Sequence, residues 1–237
     1  MIGVIGGSGL ASPTLLSDRR DTFTVTPYGA PSGPVVLARH GDVRVAFLAR
    51  HGPGHKIPPH RLNHRANLWA LQECGADRIL ATSSVGSLKI PIRPGGFVVP
   101  HDYVAFWDIP TFFDEEVKHV TPTIDGDLRK VLLAAARTAG ARAAPKAVYV
   151  QATGPRLETK AEIAFFKTLG DVVGMTVASE ATLAAELEIP YAALCSVDNY
   201  AHGLKPAPVT FHEIQATQKK NAAATEAVLA AALEALG

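Results

Sequence analysis

Short runs of β-branched and other apolar residues alternate along this chain with longer segments in which apolar residues recur every three or four positions. The short runs predict β-strands, and the longer segments predict amphipathic helices. This alternation is typical of a mainly parallel sheet with helices on its faces. The sequence therefore predicts an α/β fold in which residues 1–237 form a single domain, with a mixed, mainly parallel twisted sheet flanked by helices. The predicted strands are Ile2–Ile5, Val35–Ala38, Val43–Leu48, Arg78–Thr82, Phe97–Val99, Ala147–Gln151, Asp171–Val173 and Tyr191–Val197.

The helices are indicated either by apolar spacing or by the residues at their starts. Apolar residues three and four positions apart are typical of a helix that buries one face. A threonine followed three positions later by a glutamate is a capping box, in which each side chain bonds to a backbone N–H at the start of the helix. The candidates are a helix over 62–70, a helix over 128–135, a helix that begins at the box Thr159–Glu162, and a long alanine-rich helix that begins at the box Thr210–Glu213 and runs almost to Gly237.

Two connections between these elements are distinctive. Gly41 and Asp42 lie between two apolar runs and predict a β-hairpin. The stretch 100–126 follows no regular period and concentrates aromatic residues over 106–113. A long aromatic loop of this kind is expected either to be functional or to serve packing.

Composition narrows the functional classes. The chain of 237 residues carries 23 lysines and arginines against 22 aspartates and glutamates, a formal net charge of +1. A protein held to nucleic acid or to an anionic membrane by bulk charge needs a clustered basic excess, so neither partner is expected. Cys74 and Cys195 lie far apart and predict no disulfide framework. Because the chain shows neither a signal-peptide pattern nor an apolar run long enough to span a membrane, we expect a cytoplasmic protein.

The first candidate for chemistry is the turn Gly6-Gly7-Ser8-Gly9, directly after the first predicted strand. Glycines let successive backbone N–H groups approach an anion, and Ser8 adds a hydroxyl donor. The turn has Ser12 in place of the third glycine of a dinucleotide fingerprint, and Leu10 in place of the last glycine of a nucleophile elbow. An anion-binding loop and a plain tight turn both remain compatible with this segment.

Two more donor-rich turns follow predicted strands. Arg50 offers a planar fork of donors suited to phosphate, and His51 adds a hydrogen bond in either protonation state. Ser83 and Ser84 add hydroxyl groups after the next strand. Because ligands of open α/β sheets lie beyond the carboxyl ends of the strands, we expect these turns to converge on one small phosphate-like anion.

Two later strand ends leave more than one interpretation open. Glu158 is either a favourable charge at the start of a helix or a group that contacts a ligand. Asp198 and Asn199 are either turn formers or groups that contact a ligand.

Metal binding is not expected from the histidines. Gly and Pro residues between His51 and His55 prevent the helix that would place both rings on one face. The pair His60 and His64 lacks the glutamate of the zinc-protease motif.

A series of motifs runs in order along nearly the whole chain, from Ile2 to beyond Asn221. The motifs are Ile5-Gly6-Gly7-Ser8-Gly9-Leu10, Leu48-Ala49-Arg50-His51-Gly52, Asn63-His64-Arg65-Ala66-Asn67-Leu68-Trp69-Ala70-Leu71, Gly154-Pro155-Arg156-Leu157-Glu158-Thr159, and Gly174-Met175-Thr176 with Glu180. Together they resemble the trimeric purine nucleoside phosphorylase and methylthioadenosine phosphorylase family. The bacterial methylthioinosine phosphorylases look most similar, on the residues Thr26-Pro27-Tyr28-Gly29-Ala30-Pro31-Ser32 and Pro58-Pro59-His60.

The resemblance implies phosphorolysis, in which inorganic phosphate displaces the purine from C1′ of the ribosyl ring with no metal and no organic cofactor. It implies that the ligands are a small nucleoside and phosphate and that the assembly is a homotrimer. It further implies that Ser84 acts through its backbone amide, that Met175 lines the ribose, and that Leu157, where phenylalanine is common in the family, lies near the purine. The implied phosphate ligands are Ser8, Arg50, His51, Ser83, Ser84 and Thr176, and the implied catalytic residues are His51, Glu158 and Asn199.

Two positions decide which base is expected. As the resemblance has it, adenosine-type members carry serine and aspartate where this chain has Glu158 and Asn199. Glu158 would accept the N1–H of a 6-oxopurine, and the Asn199 amide would accept from protonated N7 and donate to O6. Adenine would leave polar groups unpaired at both positions, which disfavours it by about 10²–10⁴-fold. A one-residue slip would place Asp198 at this position, but the ungapped spacing from Thr176 favours Asn199.

The 5′ end of the nucleoside is expected to meet Phe211, where ordinary nucleoside phosphorylases of the family carry a histidine that bonds the 5′-hydroxyl. An apolar ring favours a methylthio group. Ile214 and Val209 are nearby in the sequence, and His202 and His212 remain alternative polar groups at this end.

The leading hypothesis is therefore phosphorolysis of 5′-methylthioinosine. The alternatives are a methylthioadenosine phosphorylase and a general 6-oxopurine nucleoside phosphorylase. From a different class, a non-catalytic nucleoside-binding protein is the alternative, although such a protein has no use for a phosphate-sized second site.

Overall fold

The structure is a computed structural model that describes residues 1–10, 13–107 and 109–237. Within these residues a mixed sheet of 11 strands is flanked by helices. The strands are β1 (Ile2–Gly6), β2 (Ser17–Thr22), β3 (Val35–His40), β4 (Val43–Ala49), β5 (Arg78–Ser87), β6 (Phe97–Val98), β7 (Asp102–Val104), β8 (Ala143–Ala144), β9 (Val148–Gln151), β10 (Val172–Gly174) and β11 (Tyr191–Tyr200). The helices are α1 (His64–Glu73), α2 (Gly126–Thr138), α3 (Lys160–Leu169), α4 (Val177–Glu186) and α5 (Phe211–Leu236), with a short 3₁₀ helix at Pro59–Arg61.

The branch point of the sheet is β5. Its first residues pair in parallel with β1, its last residues pair antiparallel with β10, and most of its length pairs in parallel with β11. Parallel pairs also join β1 to β4, β9 to β10, β7 to β9 and β6 to β8. The pairs of β3 with β2 and β4, and of β6 with β11, are antiparallel. The prediction of an α/β fold with a mixed, mainly parallel sheet is confirmed.

Every predicted strand is present, and two of them continue for three or more residues beyond their predicted ends. β5 continues to Ser87 and β11 to Tyr200. The interpretation of Ser83 and Ser84 as a turn after a strand is therefore wrong, because both lie within β5. These small hydroxyl residues resemble a turn in sequence, but they pair with Cys195 and Ser196 of β11 and so continue the strand.

The predicted hairpin and both capping boxes are also present. The hairpin pairs His40 with Val43, and Gly41 between them adopts a φ of 55°. In α3 the Thr159 hydroxyl accepts from the Glu162 backbone N–H, while the Glu162 carboxylate accepts from the Thr159 N–H. The same reciprocal pair begins α5. The helices over 62–70 and 128–135 correspond to α1 and α2.

The strands and helix that lack a sequence signal are β2, β7, β8 and α4. β2 is polar, largely exposed and lies at the end of the sheet, so it shows no apolar alternation. β7 lies inside the stretch 100–126, which the sequence analysis describes as irregular, and residue 108 of that stretch is outside the described residues. In α4 the capping groups come from another element. Tyr149 and Gln151 accept hydrogen bonds from its first backbone N–H groups.

The apolar core surrounds the central strands. Ile5, Leu48 and Ile79 are fully buried, and Val228 and Leu233 of α5 pack into the same cluster. Burial of each such side chain stabilises the fold by about 1.5–3 kcal/mol. The two cysteines are both free thiols. No helix among the described residues is long and apolar enough to cross a membrane.

Candidate active site

A cavity of about 450 Å³ lies where the ends of β1, β4, β9 and β10 meet the second halves of β5 and β11. The first turns of α5 form another wall of the cavity. The residues that the sequence analysis placed in the site all line this cavity: Ser8, Arg50, His51, Ser83, Ser84, Leu157, Glu158, Met175, Thr176, Asn199, Phe211 and Ile214. The roles of these residues remain predictions.

Arg50 is held at the base of the cavity by a buried ion pair. Arg50 and Glu180 are each 1% exposed, and Nε and Nη2 of Arg50 donate to the two carboxylate oxygens at 2.5 and 2.9 Å. Nη1 donates to the Thr82 carbonyl at 2.7 Å, and the Tyr191 hydroxyl donates to Glu180 at 2.8 Å. Burial alone would lower the pKa of Arg50, but the Glu180 carboxylate raises it above its ordinary value. The guanidinium is therefore a permanent, fixed positive charge.

This arrangement changes how Arg50 is expected to meet an anion. The sequence predicts that the bidentate face of Arg50 binds phosphate. In the structure that face is hydrogen-bonded to Glu180, because a buried guanidinium needs a counter-ion. The hydrogen bonds to described residues use three of the five guanidinium N–H groups. The other two make no hydrogen bond to the described residues, and Arg50 lines the cavity.

Gly7 is required by the close approach of Arg50. A Cβ atom at this position would lie 2.3 Å from Arg50 Nη1 and 2.4 Å from the Thr82 carbonyl oxygen. The Gly7 backbone N–H also donates to Thr82 Oγ1. The glycine-rich turn thus makes room for the arginine and places Ser8 on the cavity wall.

His51 is a neutral imidazole whose tautomer follows from its contacts. Burial and the neighbouring Arg50 charge lower the pKa of His51 to about 4. Its Nδ1 lies 2.8 Å from the Ile57 carbonyl oxygen, so the proton of the neutral ring resides on Nδ1 and is donated to that carbonyl. Nε2 therefore carries a lone pair and accepts a hydrogen bond rather than donating one.

Thr176 and Ser83 place two hydroxyls side by side. Thr176 is the N-cap residue of α4, but Tyr149 and Gln151 provide the capping interactions. Its hydroxyl is thereby free to lie 3.5 Å from Ser83 Oγ at the wall of the cavity. Together with Arg50, these donors give one end of the cavity the chemistry of an anion site.

Asn199, rather than Asp198, lines the cavity. The strand pairing shifts register between Val197 and Asn199, so that a β-bulge interrupts the regular alternation of side chains. The Asp198 carboxylate accepts from the Ser84 and Ser196 hydroxyls instead. The Asn199 Nδ2 donates to the Tyr200 carbonyl at 2.9 Å, which leaves one amide N–H and the amide oxygen for a ligand.

Glu158 also lines the cavity. It is buried, and desolvation raises the pKa of its carboxyl. Glu162 holds the preceding chain segment, since its carboxylate accepts two hydrogen bonds from Arg156 and one from the Thr159 N–H. This brace fixes the loop that carries Glu158 and its neighbour Leu157, which is 40% exposed.

The remaining wall is formed by the start of α5 and the segment before it. Phe211 is the first residue of α5 and is 67% exposed, whereas Ile214 is buried one turn further on. His202 also lines the cavity and lies beside Glu158, with its Nδ1 3.3 Å from the Glu158 carbonyl oxygen. His212 is exposed beside Phe211.

Sequence reasoning did not assign Gln218 to the site. Gln218 lines the cavity and donates to Ser84 Oγ at 3.0 Å. Its position seven residues after Phe211 and four after Ile214 places all three on one helical face, which is the signal that would have identified it. His55, whose ring contacts that of His51, and Val209 also line the cavity.

Among the described residues, no group of three or more His, Cys, Asp or Glu side chains is arranged to hold a metal ion. The polar groups of the cavity are instead hydroxyls, amides, imidazoles, one guanidinium and one carboxylate.

Comparison with known proteins identifies the family of this chain. The family model of the phosphorylase superfamily matches residues 1–234. A probable 6-oxopurine nucleoside phosphorylase of Archaeoglobus fulgidus is 42% identical over 94% of this chain and 91% of its own length. A probable S-methyl-5′-thioinosine phosphorylase of Methanothermobacter thermautotrophicus is 47% identical over 90% of this chain and 76% of its own.

A solved structure is similar over the whole fold. Methylthioadenosine phosphorylase from Schistosoma mansoni, in complex with adenine, matches with a TM-score of 0.90 and 29% identity. The match covers 100% of this chain and 91% of that chain. The chain therefore belongs to the phosphorylase superfamily, and the prediction that it is an enzyme of the purine nucleoside phosphorylase and methylthioadenosine phosphorylase family is confirmed.

Proposed function

We propose that this enzyme cleaves 5′-methylthioinosine with inorganic phosphate, giving hypoxanthine and 5-methylthioribose 1-phosphate. The observation that carries the proposal is the hydrogen-bonding pattern of Asn199, whose amide keeps one N–H and its oxygen free at the cavity wall. That pair of groups matches O6 and the protonated N7 of a 6-oxopurine. The 6-amino group of adenine would place its N–H donors against the N–H donor of the Asn199 amide.

Glu158 supports the same choice of base. A buried carboxylate accepts the N1–H of hypoxanthine, whereas N1 of adenine is itself an acceptor and leaves the carboxylate unpaired. Each mismatch of this kind costs about 1–3 kcal/mol. A relative at 47% identity is named a probable S-methyl-5′-thioinosine phosphorylase, and another at 42% is named a probable 6-oxopurine nucleoside phosphorylase, which is consistent with an oxo base.

The proton balance of the reaction suits the neutral His51. The C1′–N9 bond breaks, a phosphate oxygen bonds to C1′, and the proton that hydrogen phosphate loses balances the proton that the purine gains. A lone pair on His51 Nε2 accepts the P–OH hydrogen bond, while Arg50, Ser83 and Thr176 supply donors for the other oxygens. Phosphate positioned on one face and a stabilised leaving group on the other are what an oxocarbenium-like transition state requires.

The 5′ end favours a methylthio group. Phe211, Ile214 and Val209 form an apolar wall, which buries a methyl and sulfur but offers nothing to a hydroxyl. Inorganic phosphate is then the co-substrate, and the reaction needs neither a metal nor an organic cofactor.

Three substrates at equal phosphate concentration test the proposal. Methylthioadenosine differs from methylthioinosine only at C6, and inosine differs only at the 5′ position, so the three kcat/KM values separate base recognition from 5′ recognition. We expect methylthioinosine to be best. A preference for methylthioadenosine contradicts the assignment of Asn199 and Glu158, and a preference for inosine contradicts that of Phe211.

The requirement for phosphate separates phosphorolysis from two other classes. A binding protein releases no base, and a hydrolase releases base at the same rate without phosphate. We expect base release to depend on phosphate and to yield the sugar 1-phosphate.

The proposal includes a homotrimer of cytoplasmic chains, each a single domain over residues 1–237. Phe106, Trp107 and Phe165 are each about half exposed, and the Phe106 ring meets Trp107 edge-to-face and stacks on Phe165. This is an unusual amount of aromatic surface for a monomer to expose. We expect this segment to complete the cavity of a neighbouring subunit. Analytical ultracentrifugation with parallel activity assays tests this, because full activity in a monomer contradicts it.

A further inference from the structure

The Asp198 carboxylate is a buried acidic group for which the proposed reaction has no direct use. It is 2% exposed, and the groups that bond to it are hydroxyls and an amide rather than a cation. Ser196 Oγ donates to its Oδ1 at 2.5 Å, and Ser84 Oγ donates to its Oδ2. A buried carboxylate is costly, so it is retained only where hydrogen bonds satisfy it.

The direction of every hydrogen bond in this cluster is fixed by chemistry. A carboxylate only accepts, and a serine hydroxyl has one proton, which Ser84 and Ser196 each give to Asp198. Each serine oxygen in turn accepts from an amide of α5. Gln218 Nε2 donates to Ser84 Oγ at 3.0 Å, and Asn221 Nδ2 donates to Ser196 Oγ at 2.8 Å. Asp198 thus accepts hydrogen bonds from two arms, Gln218–Ser84 and Asn221–Ser196, and both arms begin on α5.

The two arms join the separate walls of the cavity. Gln218 and Asn221 are three residues apart and so share one face of α5, the helix that also carries Ile214. Ser84 and Ser196 are opposite each other in the pairing of β5 with β11. The cluster therefore ties the helix wall to the two long central strands of the sheet.

Asp198 is also placed between two groups of the site. The β-bulge directs its carboxylate to Ser84, while the next residue, Asn199, lines the cavity. Because the Ser84 hydroxyl gives its proton to Asp198, that proton is not available to phosphate. This agrees with the expectation that Ser84 acts through its backbone amide.

We propose that Asp198 is a positioning residue, which fixes the distance between the phosphate site at Ser84 and the base site at Asn199. The inference rests on the proposed function for its catalytic consequence. The predicted loss of ligand affinity does not depend on the proposed function, because it requires only that phosphate and hypoxanthine both bind in the cavity.

The first test is Asp198→Asn, which keeps the size of the side chain. The amide N–H of the new side chain cannot accept a serine proton, so one of the two serine hydrogen bonds is lost. We expect the KM values for phosphate and nucleoside to rise and kcat/KM to fall about 10- to 100-fold. A variant that is merely less stable contains less active enzyme, which lowers the apparent kcat but leaves both KM values unchanged. Unchanged KM values in a folded Asp198→Asn protein overturn the proposal.

Glu226→Gln is the matched control. Glu226 is another carboxylate that anchors α5, through hydrogen bonds from the Thr14 backbone N–H and hydroxyl, but it is partly exposed and is not part of the cavity wall. We expect its kinetic constants to stay within about twofold of the parent values. An equal loss in both variants shows that any loosening of α5 suffices, which contradicts a specific role of Asp198.

Ser84→Ala keeps the proposal testable if Asp198→Asn does not fold. It removes the hydroxyl arm and keeps the backbone amide, so it should raise the same KM values. Where both variants fold, the double variant should lose little more than Asp198→Asn alone, since the Ser84 hydroxyl acts through its hydrogen bond to Asp198. Additive losses overturn the inference.

Calorimetric titration with phosphate alone and with hypoxanthine alone separates this inference from the proposed function. If the parent enzyme has no phosphorolytic activity, the proposed function fails, but Asp198→Asn should still raise the dissociation constants of phosphate and hypoxanthine. Unchanged dissociation constants overturn the positioning role even in an active enzyme, and a parent chain that binds neither ligand overturns both proposals.

Discussion

The anion end and the nucleoside end of the cavity differ in where their residues lie in the fold. Arg50, Thr176 and Ser83 are at most 5% exposed and lie at or within buried strands and the start of a buried helix. At the other end Phe211 is 67% and Leu157 40% exposed, on the first residue of a helix and on a loop. The proposed phosphate site is thus built into the core, whereas Phe211 and Leu157 of the proposed nucleoside site are at the surface.

The carboxylates at the two ends show the same contrast. Burial alone would raise the pKa of both Glu180 and Glu158. Glu180 faces the Arg50 guanidinium, which lowers its pKa, while the pKa of Glu158 remains raised. Glu180 is thus committed to a partner within the protein, and Glu158 is left for a ligand. We therefore expect substitutions at the anion end to change stability, and substitutions at the nucleoside end to change selectivity.

The largest effect is expected from Glu180→Gln. This change leaves the Arg50 guanidinium buried without a counter-charge, and breaking a buried pair in this way costs about 3–5 kcal/mol of unfolding free energy. Urea denaturation followed by circular dichroism measures the loss. Lys130→Gln, which breaks an exposed ion pair with Asp127, is the control and should leave the unfolding midpoint unchanged. A loss below about 1 kcal/mol for Glu180→Gln contradicts the view that this pair holds the anion end.

The next effect concerns His64, which lies behind the same ion pair. Its Nδ1 is 3.9 Å from Glu180 and is a buried polar atom without a hydrogen-bond partner among the described residues. Burial lowers the pKa of His64 to about 4 from its ordinary 6.5. Between these values the unfolded chain binds a proton that the folded chain does not. Stability is therefore complete above about pH 6.5 and declines as the pH falls toward 4.

His64→Gln removes this proton uptake. The decrease in unfolding free energy between about pH 7 and pH 5 should become smaller by about 2 kcal/mol in the variant. Urea denaturation over a pH series measures this difference, with His119→Gln at an exposed position as the control. Identical pH dependence in His64→Gln and the parent chain contradicts a neutral buried imidazole at this position.

Much of the fold and of the site could be predicted because the relevant signals are local. Apolar runs mark the central strands, and the turn that contains Ser8 is recognisable from its glycines. The pairing of Arg50 with Glu180 has no such signal, since 130 residues separate the two partners. The sequence therefore indicates an arginine suited to phosphate but not that its bidentate face is already occupied.

The β-bulge at Asp198 and the start of α4 could not be predicted for a related reason. Whether Asp198 or Asn199 faces the cavity depends on the register of β11 against β5, which a single strand does not encode. Helix α4 has its N-terminal groups satisfied by Tyr149 and Gln151 from a neighbouring strand. When the hydrogen-bonding partners of a segment lie far away in the sequence, the residues of that segment alone do not indicate them.

At the nucleoside end, Asn199→Asp should change base selectivity more than stability. A carboxylate cannot donate to the Tyr200 carbonyl or to O6 of a 6-oxopurine, but it accepts from a 6-amino group. We expect the ratio of kcat/KM for methylthioinosine to that for methylthioadenosine to fall about 10- to 100-fold. Asp198→Asn provides the comparison, because it changes the neighbouring residue without changing the group that contacts C6. An unaltered ratio in Asn199→Asp shows that this residue does not recognise the base.

The smallest effect is expected from Phe211→His. The change removes an apolar contact to the methylthio group, worth on the order of 1 kcal/mol, and adds a donor for a 5′-hydroxyl. The ratio of kcat/KM for inosine to that for methylthioinosine should therefore rise about 5- to 10-fold. Because Phe211 is largely exposed at the start of α5, the unfolding midpoint should stay close to that of the parent chain. His212→Phe tests the neighbouring exposed position: if that variant shifts the ratio and Phe211→His does not, the 5′ contact belongs to residue 212 and the apolar wall begins one residue later.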